Sequence, residues 1–326
     1  MRRRDFIAAI GGAAVWPVVA RAQQPALPEI GYLSVAPSGS FPWLVRSFRQ
    51  GLSETGYNEG RNVAIVYRWA ENQNDRLPAL AAELARRQVR VIATSNGFQA
   101  ALAAKAASGT IPIVFQGAGD PVQDGLVASL NRPGGNLTGV TSLNRQLGQK
   151  QLEVLHELIP TAATVAVLVN PSNLNIETQL RDMQDAARKL GLQLHVLHAK
   201  TERDFDGAFA ELLQVRAGGL VVSASPLFGG RGGEQLTALA MRHAVPMVGL
   251  DRESIAGSLM SYGGSLTEAF RTLGIYTGRI LNGERPADLP VQQITKIELI
   301  INMKAAKALG FTIPETLLAT ADEVIQ

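Results

Sequence analysis

The run Arg132-Pro133-Gly134-Gly135-Asn136-Leu137-Thr138-Gly139-Val140-Thr141 divides the chain. Arg132 to Asn136 has the composition of a tight turn, with a proline and paired glycines. Leu137–Thr141 reads as a short strand, and a helix over Leu147–Leu158 leads from it into a fresh strand–helix series. Before this point, strands are predicted near Glu29–Val35, Asn62–Tyr67, Val89–Thr94 and Ile111–Phe115. After it come Thr164–Val169, Gln193–His198, Gly219–Val222, Pro246–Gly249 and Leu259–Tyr262, with a late one over Lys296–Asn302. Each is a nearly continuous apolar run ending in Gly, Ser, Asn or Asp, as expected of strands covered on both faces. Apolar 3–4 spacing between them marks helices, for example Leu180/Met183/Ala187/Leu190 and Phe270/Leu273/Thr277/Ile280. Such alternation, with right-handed crossovers, predicts parallel, doubly wound sheets. That many strands exceed one small sheet, and 326 residues accommodate two α/β lobes.

The formal charge is +3, and residues 1–22 account for all of it through Arg2, Arg3, Arg4 and Arg21 against Asp5. The remainder is neutral and offers no basic footprint for nucleic acid. The absence of cysteine excludes disulfides, thiolate zinc sites, cysteine nucleophiles and a lipid-modified cysteine.

Arg3-Arg4-Asp5-Phe6-Ile7 opens a three-part export signal. An apolar stretch from Phe6 to Val19 follows, then Ala20-Arg21-Ala22 before Gln23-Gln24. The stretch is shorter than the roughly 20 residues a bilayer span needs. Twin-arginine export, cleavage near Ala22 and a soluble periplasmic protein are expected.

Ligands of open parallel sheets bind beyond the carboxyl ends of the strands. In the first half those ends carry Ser40 and Phe41, Ser95 and Asn96, and Gln116 through Asp120. In the second they carry Asn170 and Ser172, Ser225, Asp251 and Tyr262. Neutral hydrogen-bonding groups with nearby aromatics suit reversible binding of a small polar or amphipathic solute. Each also has a purely structural reading. Asp120-Pro121 is a good helix N-cap with proline at the first helical position. Asn170-Pro171-Ser172-Asn173 reads equally as a turn and cap, and Phe41 as core. Signals for catalysis are poor. His195 and His198 are three apart on a strand and point to opposite faces, so they cannot share a metal. No phosphate-binding loop or nucleophile elbow occurs, and Gly31-Tyr32-Leu33-Ser34-Val35-Ala36 does not supply the dinucleotide fingerprint an exported reductase would need. No cofactor and no metal are expected.

Several segments together resemble the ABC transporter substrate-binding protein family of the tryptophan-binding type. They are the start Arg2–Ile7 with Ala20–Gln24, Gly117-Ala118-Gly119-Asp120-Pro121-Val122, Leu130–Gly139, Val167–Pro171, Leu259–Gly263, and the tail from Asp288–Val291 through Ala306–Gly310. The resemblance implies the type I periplasmic-binding-protein fold, two Rossmann-like lobes joined by about three crossings with ligand trapped between them. It places the lobes at 27–142 plus 262–284 and at 143–261 plus 285–326. It implies a small-molecule ligand, a permease partner in the inner membrane, a monomer and no catalysis. Amino acids, aromatic ones above all, and other small carboxylates are the expected ligands, with sugars as the alternative, since Ser, Asn, Asp and Tyr also suit hydroxyl recognition. Sugar-binding relatives of this fold imply cleft positions at Phe41, Asn96, Gln116, Ser172, Ser225, Asp251 and Tyr262. The chain departs from the family at Gly229-Gly230-Arg231-Gly232-Gly233, where bulky residues are usual.

Overall fold

The computed structural model describes residues 27–142, 147–174, 176–249 and 258–326. The first sheet contains β1 (Glu29–Ser34), β2 (Ala64–Trp69), β3 (Val91–Ser95), β4 (Ile113–Gly117), β5 (Leu137–Thr141) and β11 (Gln292–Gln293), in the order β11-β5-β4-β3-β1-β2. The second contains β6 (Thr164–Val169), β7 (Gln193–His198), β8 (Leu220–Val222), β9 (Met247–Gly249), β10 (Met260–Gly264), β12 (Ile297–Asn302) and β13 (Glu323–Ile325), in the order β13-β12-β10-β9-β8-β6-β7. Central strands β3, β4 and β5 are buried along their whole length, whereas edge strand β2 is only half-buried and carries Tyr67 and Arg68. That difference explains why the central strands read as unbroken apolar runs.

Both sheets are covered on both faces, as doubly wound sheets require. In the first lobe α2 (Leu77–Arg86) and α3 (Phe98–Ala107) cover one face with Leu77, Ala81, Leu84, Phe98 and Ala101. On the other face α1 (Pro42–Glu54) and α8 (Leu266–Leu281) bring Leu44, Phe48, Phe270, Leu273 and Tyr276 against Ile30, Tyr32 and Val114. In the second lobe α4 (Gly148–Leu158), α5 (Ile176–Lys189), α9 (Met303–Leu309) and α10 (Glu315–Thr320) lie on one side, α6 (Phe205–Gln214) and α7 (Gly230–Arg242) on the other. Among the described residues no helix is long and apolar enough to cross a membrane.

The path of the chain between the lobes differs from the reading of the sequence. Strand β12 runs antiparallel to β10, while the other strand pairs are parallel. The cause is the path of the chain. After β10 it leaves the second sheet, forms α8 against the first lobe, and re-enters from the end at which β10 stopped. The return also comes later than Glu284, because Gln292 and Gln293 still pair with Val140 and Thr141 of the first sheet.

Helix α8 is set very close to α1. A Cβ on Gly274 would stand 2.1 Å from the Phe48 carbonyl oxygen, and one on Gly51 would stand 1.9 Å from that of Arg271. Only hydrogen at these positions permits the approach. Ser265 caps α8 by accepting the Glu268 N–H at 3.2 Å, and Arg271 pairs with Glu54 of α1 at 2.6 Å.

Candidate functional site

The carboxyl ends of the strands in the two sheets face one another across a cavity of about 100 Å³, of the order that admits a single aromatic ring. In the first lobe the site is built on the turn after β3. Asn96 adopts a left-handed φ of 62°, which asparagine tolerates better than most residues, and Gly97 follows at φ 144° as the N-cap of α3. This turn aims the Asn96 N–H at the Gln116 Oε1, 3.1 Å away on β4. The Asn96 side chain donates through Nδ2 to the Ser34 hydroxyl at 3.0 Å, so the ends of β1, β3 and β4 are tied together. Gln116 is only 2% exposed, and its Nε2 has no partner among the described residues although it lines the cavity. A buried amide in that position keeps two donors for whatever enters.

The second lobe contributes a mainly apolar wall. Val222, Phe228, Leu236 and Met247 line it, with Thr237 and Ser225 as hydroxyl groups. Ser225 caps the single 3₁₀ turn Pro226–Phe228 by accepting the Leu227 N–H at 3.3 Å, and it also accepts from Asn170 Nδ2 at 3.2 Å. Asn173 donates to the Ala224 carbonyl at 2.7 Å. Both asparagines thereby fix the loop that presents Ser225. None of the described lining residues is charged.

The structure gathers Phe41, Asn96, Gln116 and Ser225 around the cavity and places Ser40, Ser95, Asp120, Asn170, Ser172 and Tyr262 elsewhere. Ser95 is fully buried behind it, where its hydroxyl donates to the Tyr32 phenol at 2.9 Å; burial raises the pKa of that phenol and keeps it neutral. Ser40 stands at the rim and reaches the other lobe through its carbonyl oxygen. Asp120 accepts the N–H groups of Val122 and Gln123 at 2.8 and 3.2 Å, capping one turn rather than a helix. Asn170 acts behind Ser225, and Ser172 is exposed with its N–H on Asn170 Oδ1. Tyr262 packs against the core of the second lobe, and its carbonyl oxygen accepts from Gln151 at 3.0 Å. Asp251 lies outside the described residues.

Reading the sequence missed Gln99 and all of the apolar wall, and it named Asn173 only within the turn that ends β6. Gln99 was detectable, because it falls on the first turn of a helix that follows a strand end. Elsewhere, His195 pairs with Glu211 at 2.7 Å. Among the described residues no group of three or more His, Cys, Asp or Glu side chains converges as a metal site would.

Residues 39–325, spanning both lobes, match the model of the family described as ABC transporter substrate binding protein. A tyrosine-binding protein of Clostridioides difficile is 26% identical over 288 residues, which cover 86% of this chain and 80% of that protein. A Streptococcus pneumonia ABC domain solved in complex with L-Trp superposes with a TM-score of 0.81 at 24% identity, covering 92% of this chain and all of that one. The ligand-free, open structure of a Clostridium difficile substrate-binding protein with adhesive properties, also 24% identical and covering 92% of this chain and all of its own, gives a TM-score of 0.62. With its matching family model, two doubly wound lobes and a cavity between their strand ends, the chain belongs to the ABC transporter substrate-binding protein family.

Proposed function

We propose that this protein captures a small amphipathic solute carrying a carboxylate, an aromatic amino acid first among the candidates, and delivers it unchanged to an inner-membrane permease. The observation that carries the reading is the two-sided character of the cavity. One lobe offers the buried carboxamide of Gln116 at a strand end, with half-buried Asn96 beside it, and the other offers an apolar wall around Phe228 and Met247. A carboxylate head accepts from Gln116 Nε2, and the apolar remainder fills the second lobe. Contact with both sides is what makes ligand favour the closed arrangement. The tyrosine-binding relative and the L-Trp complex support this ligand class. Asp251 is proposed as the partner of an ammonium group.

The site acts in the periplasm after twin-arginine export, as a monomer beginning at Gln23. Thermal-shift screening of the mature protein against amino acids and aromatic carboxylates tests the reading. Ligand at about 100 times its Kd adds about 2.7 kcal/mol and raises the melting temperature by some degrees. Calorimetry then gives stoichiometry, and mass spectrometry should recover the ligand unaltered. Conversion of the ligand, or no shift with any member of the panel, overturns the proposal.

A further inference from the structure

The glycine run at 229–233 divides into two pairs with different neighbours. A Cβ on Gly232 or Gly233 would meet its own lobe, 2.0 Å from the Leu227 carbonyl oxygen and 2.9 Å from that of Phe228. Those two glycines let α7 start directly after the 3₁₀ turn. Gly229 and Gly230 face the other lobe. A Cβ on Gly229 would stand 2.8 and 2.9 Å from the Cε1 and Cζ atoms of Phe41, and one on Gly230 would stand 2.5 Å from the Ser40 carbonyl oxygen. Gly230 has φ +53°, a conformation that by itself favours glycine. Gly229 does not, since its φ of −109° and ψ of 179° are ordinary extended backbone. Nothing within its own lobe crowds it, apart from the Pro226 carbonyl oxygen at 4.0 Å, so the facing ring is what excludes a side chain there. The Phe41 ring is 8% exposed and held edge-on to Trp43 at 5.6 Å, which leaves it little room to retreat.

We infer that Gly229 and Gly230 are a closure seat, positioning residues that receive Ser40 and Phe41 when the lobes shut. Their lack of side chains determines how completely the cavity can be closed. A methyl group on this rim holds the lobes apart at the mouth. A gap of even 0.5–1 Å forfeits a quarter to a half of the dispersion contact across it. The inference rests on the ligand-capture reading for its consequence in affinity, but the seat itself is a property of the closed protein and can be measured without ligand.

The test places cysteines at Ser38 and Arg231, exposed positions beside the two halves of the seat, in a chain with no other cysteine. A short bismaleimide then joins them only when the lobes close, and the crosslinking rate is followed with and without L-tyrosine. Gly229→Ala, which adds no backbone strain, is expected to lower the rate about 5- to 150-fold, the range of ordinary overpacking. In a Phe41→Ala background the same change should have no further effect, because the clashing ring is gone. The melting temperature of the unliganded variant should match that of the native protein. An undiminished crosslinking rate in Gly229→Ala refutes the seat. So does an equal loss in the Phe41→Ala background, or a fall in the unliganded melting temperature, since either assigns Gly229 a role within its own lobe. Normal closure of the native rim that L-tyrosine fails to enhance refutes the ligand class alone.

Discussion

Replacing Gln116 by glutamate separates the two tasks of that side chain. The carboxylate keeps an oxygen for the Asn96 N–H, now 3.1 Å from Gln116 Oε1, so the turn that builds the first-lobe side of the site is preserved. What disappears is the pair of Nε2 donors facing the cavity, and what appears is a charge at a position only 2% exposed. A hydrogen bond to a charged partner contributes about 1.5–3 kcal/mol, so losing one to a ligand carboxylate weakens binding about 10- to 150-fold. Repulsion between the two carboxylates adds to that loss at neutral pH. Burial raises the pKa of the new glutamate, which partly neutralises it, so affinity should recover as the pH is lowered from about 8 to 5. Calorimetry of native and Gln116→Glu proteins across that range, with the ligand returned by the screen, measures both effects. A variant that binds as tightly as the native protein at pH 8 refutes the assignment. A loss that is independent of pH would show that the ligand presents something other than an anion to Gln116.

Asn170→Ala removes one of the two bonds accepted by Ser225, at 3.2 Å, and should weaken ligand binding severalfold while the α1–α8 region keeps its native hydrogen-exchange protection. Gly274→Ala forces a methyl group to within 2.1 Å of the Phe48 carbonyl oxygen, so α1 and α8 must separate; denaturant titration should show a loss of about 1–3 kcal/mol. Stability should be level above about pH 5 and fall below about pH 4. The carboxyls of Glu29, Glu54, Glu83, Glu284 and Asp288 each accept a hydrogen bond from an arginine that holds their pKa below its ordinary value. Because the folded pKa lies below the unfolded one, their contribution is complete above the latter and is lost as pH falls through the former. Melting curves across pH 3–7 check the sign, and a melting temperature that rises on acidification contradicts it.

Most of the strand framework was legible because burial on both faces writes itself as unbroken apolar runs. Leu137–Thr141, Thr164–Val169 and Gln193–His198 have the same limits in sequence and structure. Strand β11 was not legible, being two glutamines whose pairing depends on where α8 sets the chain down, and β13 is a three-residue edge. The direction of β12 was hidden for a similar reason, since apolar periodicity is blind to which end a strand enters from. Within the cavity, Asn96 and Gln116 stood out as polar residues ending apolar runs. Val222, Phe228, Leu236 and Met247 could not, because a residue lining an apolar cavity has the same composition as one filling a core. Ser95 and Asn96 are neighbours in the chain, yet strand alternation sends one to Tyr32 and the left-handed turn sends the other to the mouth of the site.

The position of α8 also fixes the order in which this protein can be assembled on the ribosome. Residues 29–141 emerge with β1 through β5, but the face formed by Ile30, Tyr32, Val91, Ala93 and Val114 stays half-covered until Leu266–Leu281 has been made. By then five strands of the second lobe have already been synthesised. The first lobe is therefore not a unit that folds and is set aside while translation proceeds. A chain arrested before Leu266 presents an apolar sheet surface with only α1 to shield it, the kind of surface that recruits chaperones or other copies of itself. The first lobe waits on one helix late in the chain, and the second waits on β12, α9, α10 and β13, which are made after it.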